Sequence, residues 1–192
     1  MLEKIFIFIL FFLFVGCSSE KSPHRDIDLQ NYLPNGKTGT IYISQFTKTG
    51  MHKIEEHKAL LERQEDCVHY RVTLIKDKKK ESEYIDNLCA TKHLLYRGLS
   101  KEEPLINTMQ KSWVSMRMVS RNQIDKMKCG IVSYKPYLFK GKKVNAITTE
   151  CRAKNSTLFI TFAENLGIVE IEQKVEGFGN IGGIKLNKIV RK

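Results

Sequence analysis

Apolar and polar positions alternate with a period of two through most of the chain after residue 39, which predicts strands with one buried face. Thr40 to Phe46 reads as the first strand. Val68 to Lys76 and Glu83 to Cys89 flank a charged turn, Asp77-Lys78-Lys79-Lys80. Trp113 to Arg121 places Val114, Met116 and Met118 on one face, with Ser115, Arg117 and Arg121 opposite. Gly130 to Phe139 and Val144 to Cys151 flank Lys140-Gly141-Lys142-Lys143, and Thr157 to Phe162 follows. After Asn165-Leu166-Gly167 come Val169, Ile171 and Val175, and a last strand carries Ile184, Leu186 and Val190. Helical signal is thinner: Glu55 to Glu65 is rich in helix formers around Leu60 and Leu61, and Pro104 to Gln110 has room for one or two turns. The expected fold is mainly β, an antiparallel meander or half-barrel sheet, wet on one side, with one short helix.

Four cysteines sit inside this pattern. Cys67 and Cys89 are 22 residues apart, as are Cys129 and Cys151. The flanking sequence recurs too, Cys-Ala-Thr-Lys from 89 against Cys-Arg-Ala-Lys from 151. The repeated spacing reads as two similar hairpins, each closed by its own disulfide, although four cysteines allow three connectivities. A thiolate zinc site would use Cys-x-x-Cys pairs, and the sequence has none.

The front of the chain breaks the pattern. Ile5 to Val15 is an unbroken run of eleven apolar residues. As a helix it would rise about 16 Å, too little to cross a bilayer, and with Lys4 before it and small residues after it the run has the form of an export signal. It ends in Leu13-Phe14-Val15-Gly16-Cys17, which resembles the lipobox of bacterial lipoprotein precursors, with Phe14 where that pattern usually has Leu. The resemblance implies cleavage before Cys17 and diacylglycerol on its thiol. Ser18 after the cysteine, rather than Asp, implies the outer membrane by the enterobacterial sorting rule. Residues 18 to 26 hold no large apolar side chain and read as a tether. The expected organisation is a signal peptide over 1–16, a lipidated tether over 17–26 and one β-rich domain over 27–192. Phe162 to Val169 and Asn31-Tyr32-Leu33-Pro34 are also similar to the end and the opening of uncharacterised bacterial envelope proteins whose sheet is antiparallel and half-barrel-like.

Composition adds charge to this picture: 42% hydrophobic and 28% charged residues are ordinary for a globular domain, whereas +11 is a strong basic excess. Lys78, Lys79 and Lys80 crown one expected hairpin and Lys140, Lys142 and Lys143 the other. If the hairpins point the same way, their tips form a patch for anionic lipid, lipopolysaccharide phosphates or an acidic envelope protein. Nucleic acid is not expected as a partner, since no basic run is interleaved with stacking aromatics.

Other chemistry is sparse. Gly177-Phe178-Gly179-Asn180-Ile181-Gly182 fits GxGxxG, but a dinucleotide site needs a helix directly after it, and the ten residues that follow alternate like a strand. His52, Glu55, Glu56 and His57 suggest a metal only superficially, because on a helix the two histidines are about 140° apart. His69 is expected to face solvent or a neighbouring side chain. No cofactor and no catalytic residue is assigned. The leading reading is a non-enzymatic, membrane-anchored envelope lipoprotein. A first alternative is an amphiphile carrier whose concave face is lined by Val114, Met116, Met118 and Phe162, and a second is an envelope hydrolase with a His beside a carboxylate in a cleft.

Overall fold

The computed structural model describes residues 26–47, 53–98, 101, 104–120 and 123–191, apart from the side chains at 116–120 and 123–125. The first strand, β1 (Ile41–Thr47), is followed by β2 (Ile54–Arg63), β3 (Cys67–Lys76), β4 (Lys79–Ala90), β5 (Leu94–Arg97) and β6 (Ile106–Asn107). Then come β7 (Trp113–Ser120), β8 (Gln123–Ser133), β9 (Tyr137–Phe139), β10 (Lys142–Val144), β11 (Ala146–Arg152), β12 (Ser156–Ala163), β13 (Gly167–Val175) and β14 (Gly179–Val190). Among the described residues twelve strands form one antiparallel sheet, ordered β6-β5-β4-β3-β2-β1-β14-β13-β12-β11-β8-β7, and β9 and β10 pair separately. The expected meander is therefore observed, joined in its middle where β1 pairs with β14.

The sheet nearly closes on itself, and a side chain draws its two edges together. The buried indole of Trp113, at the start of edge strand β7, donates its Nε1–H to Pro104 O at 2.8 Å, just before edge strand β6. Ile106 on β6 is completely buried. The contact covers the start of β7 and the two buried residues of β6, and so shields part of the unpaired ladder an open sheet would present.

Strict antiparallel order sends alternate connections to opposite ends. The β2–β3, β4–β5 and β12–β13 turns share one end with the segment leading into β1, and the β3–β4, β11–β12 and β13–β14 turns share the other. The first end is sealed from within by that entering segment. A 3-10 turn, Leu29–Tyr32, is capped by Asp28, whose side chain accepts from Gln30 N, and it buries Leu29 and Tyr32. The segment is tied to all three turns of that end. Leu29 N donates to Lys92 O at 3.1 Å, Gln30 Nε2 to Asp66 Oδ1 at 2.7 Å and Asn165 N to Asn31 O at 2.8 Å. Leu29, Leu33, Leu60, Val68, Leu95, Ile147, Phe162 and Val169 form the driest part of the core, each no more than 1% exposed. The Asn31–Pro34 and Phe162–Val169 segments that resemble envelope proteins thus meet at this one end.

Four expectations need correction. Residues 55–65 are not a helix. Residues 55–63 belong to β2, which pairs along its length with β3 and over 55–59 with β1 as well, and these ladders outweigh a helix propensity of a few tenths of a kcal/mol per residue. The Pro104–Gln110 stretch contains β6 and not helical turns. The strand expected over 130–139 stops at Ser133 and restarts at Tyr137, because Pro136 cannot donate to the ladder. Its partner likewise breaks at Asn145, so β9–β10 is a separate hairpin and not the tip of β8–β11.

The fourth correction is a face. Trp113, Ser115, Met127 and Cys129 are buried, and Val114 is 54% exposed. The large indole and the disulfide sulfur set the inward face of β7–β8, against the expectation that Val114 points in. Met116 and Met118 have side chains outside the described set.

Candidate functional site

Both disulfides join residues that face each other across paired strands. Cys67 and Cys89 are register partners on β3 and β4, Cys129 and Cys151 on β8 and β11, each pair with Cα atoms 4.0 Å apart. The first closes a plain hairpin. The second encloses the β9–β10 excursion as well. Cys17 and the segments expected to be a signal peptide and tether, up to residue 25, lie outside the described residues.

The two lysine clusters are not brought to one end. Asp77 and Lys78 both have positive φ, 48° and 69°, so the β3–β4 turn is tight, and it lies at the end away from the sealed one with Lys79 and Lys80 on the first residues of β4. Lys140 and Gly141 make a second such turn, with φ of 48° and 79°, between β9 and β10. That hairpin leaves the sheet from the sealed end. It then folds onto the outer face, where Lys185 of β14 lies 5.9 Å from the Tyr137 ring centre. Burial, with a contribution from Glu170, pushes the Tyr137 hydroxyl up to about 12. Tyr137, Phe139 and Val144 pack inward against the body, leaving Leu138 64% exposed.

The concave face of β1–β5 holds a polar cluster that the helix expectation concealed. Glu56 and Lys58 point inward from β2 and pair at 3.1 Å, with side chains 8% and 18% exposed. Arg97 Nε donates to Asp86 Oδ1 at 2.7 Å, and the guanidinium also bonds Tyr84. Burial works against the charge of Arg97, but Asp86, Tyr84 and Glu56 outweigh it and raise its pKa further. Burial pushes Tyr70 well above the ordinary tyrosine range, and the Tyr42 ring meets it edge-on at 6.4 Å between centres. Each inward carboxylate already has a cation, so the cluster is balanced in charge. The cavity beside it measures about 30 Å³, room for about one water and far short of an acyl chain. Alternation of Glu56, Lys58 and Leu60 was the signal available in the sequence.

The remaining candidates fall apart in space. His57 Nε2 lies 3.0 Å from Glu55 Oε2, but both face away from the concavity, and Lys53 holds the same carboxylate at 2.9 Å. Hydrogen bonds from Lys53 and then from His57 lower the Glu55 pKa. His52 lies outside the described residues, and among the described residues no group of three or more ligating side chains comes together. His69 does not face open solvent at its ring tip: Nε2 is buried and has no hydrogen-bond partner among the described residues. The glycine-rich segment is the β13–β14 turn, entered through Gly177 at φ 78° and followed by strand, with Phe178 81% exposed. Phe162, expected to line a ligand cavity, is completely buried opposite Ile147. A larger recess of about 190 Å³ lies at the sealed end between Asp26, Asn31, Tyr134, Asn145 and Glu164.

The architecture is thus an antiparallel, nearly closed meander sealed at one end by its own entering segment. No protein-family model matches the chain, and no curated protein does. Its fold is shared by a protein from Bacteroides fragilis, provisionally described as exported and as having a YmcC-like fold. That structure covers 83% of this chain and 98% of its own length at TM-score 0.56 and 10% identity. A provisionally described lipoprotein from Parabacteroides distasonis covers 86% of this chain and 100% of its own at TM-score 0.51 and 9% identity. At these identities the likeness is one of fold.

Proposed function

We propose that the chain is a bacterial envelope lipoprotein, held at a membrane by lipid on Cys17 and working there as a structural or partner-binding module, not as an enzyme. The observation that carries this reading is the cysteine pairing. Four of the five cysteines are joined to one another in disulfides, which belong in an oxidising compartment outside the cytosol, and the cysteine left over is the one in the lipobox. The fold shared with proteins described as exported and as a lipoprotein supports the same address, and Ser18 favours the outer membrane in an organism that has one. The described body begins at Asp26, whose carboxylate pairs with Lys92 of the β4–β5 turn at 3.1 Å. A tether from Cys17 would then enter at the sealed end, leaving the β3–β4 turn with Lys78, Lys79 and Lys80 directed away from the bilayer and available to an acidic partner.

The test is Cys17→Ser in a chain whose residues 1–16 are replaced by an export signal that is cut without lipidation. Wild-type protein should stay with membranes through a high-salt wash and be released only by detergent, because two or more acyl chains anchor stably and charge contacts do not. The variant should be recovered in the salt wash or the soluble fraction. A variant that still requires detergent would overturn the anchor.

A further inference from the structure

We infer that the β9–β10 hairpin is a foot that rests on an anionic lipid surface. Its inner side is already committed, with Tyr137, Phe139 and Val144 packed on the body. Its outer side pairs Leu138 with Lys143 across the ladder. Lys135 and, in the turn, Lys140 are exposed near them, and Lys142, the register partner of Phe139, is exposed at the hairpin's rim. One large aliphatic side chain framed by lysines is the composition of an interfacial contact: the apolar group enters at the headgroup level and the ammonium groups meet phosphate.

The position of the foot selects a bilayer over other occupants. The hairpin leaves the sheet at the sealed end, and Tyr134, three residues before β9, lines the same recess as Asp26. Asp26 is nine residues from Cys17, a span of about 30 Å when fully extended. A lipid on Cys17 therefore keeps this end within reach of the membrane surface. Met109, 63% exposed in the β6–β7 connection, adds a second apolar group at the same end. The inference rests on the anchored reading for the orientation of the chain, and on charge and exposure for the lipid.

The experiment uses the mature chain with Cys17→Ser, sedimented with phosphatidylcholine vesicles with and without phosphatidylglycerol. Binding is expected only with the anionic lipid, falling as salt rises. Lys140→Gln, Lys142→Gln and Lys143→Gln together should weaken it by a factor on the order of one hundred, at about 1 kcal/mol per lysine. Leu138→Ser should weaken it several-fold. Lys78→Gln, Lys79→Gln and Lys80→Gln together should leave it unchanged, which separates the foot from general basic attraction. Intact disulfide masses in every variant check folding. No binding to anionic vesicles, or equal loss from the distal triple, overturns the inference. Because the assay omits the lipid anchor, its failure leaves the reading of Cys17 standing, and detergent-dependent retention of Cys17→Ser would sink that reading alone.

Discussion

Gly167 shows how tightly single residues hold the sealed end. Its φ of 75° is open to glycine and strained for alanine, and a Cβ there would come within 2.7 Å of Pro34 Cγ. Strand β13 thus starts where the entering segment crosses it. Gly167→Ala should cost about 2 kcal/mol, from backbone strain together with displacement of Pro34, read as a lower urea midpoint. It should also make residues 35 to 40 more susceptible to protease. An unchanged midpoint would mean that the entering segment is not clamped there. Legibility at this scale was uneven. The Asn165-Leu166-Gly167 turn was readable, since glycine marks a left-handed position, but its contact with Pro34 spans more than a hundred positions and has no local signature. The face of Trp113 is hidden from the sequence for a similar reason: Val114, Met116 and Met118 make the more obvious apolar stripe, whereas the side that is inside is set by long-range partners, the seam with Pro104 and the disulfide to Cys151.

At the scale of elements, the paired strands and the hairpin disulfides were legible because period-two alternation and equal cysteine spacing are local patterns. The β2 strand was not. Glu55, Glu56, Lys58 and Glu62 favour helix in isolation, and β2 forms because two neighbouring strands and the ion pair with Lys58 accommodate its inward polar side chains. The two disulfides close loops of equal length and should contribute similarly, about 3 kcal/mol each in the chain-entropy model. They differ in what they enclose. Replacing Cys129 and Cys151 with alanine should lower stability by that amount in denaturant titration and also open residues 134–145 to proteolysis. Replacing Cys67 and Cys89 should lower stability to a like degree and leave that segment protected. Equal protection in both variants would show that the packing of Tyr137 and Phe139 holds the hairpin without help from the sulfur bridge.

For the whole molecule, the consequence of antiparallel order is a separation of ends. The sequence displays two lysine-rich turns as equivalent, and a reader of the chain alone has no means of seeing that one rises from each end of the sheet. Strand count and direction settle that. On the proposed anchoring, in which the tether enters at the sealed end, the basic charge divides into a share near the anchor, on β9–β10, and a share far from it, at β3–β4. Phe178, on the β13–β14 turn, marks the far end.

That separation permits a direct measurement on the lipidated chain in liposomes containing phosphatidylglycerol and brominated lipid. Trp113 is the one native tryptophan and is buried, so it supplies an unquenched background. A tryptophan introduced by Leu138→Trp should be quenched by bromine at the headgroup boundary, while one introduced by Phe178→Trp should stay bright. Quenching at position 178 with none at 138 would contradict the account, since it would place the end sealed by Leu29 and Leu33 away from the membrane.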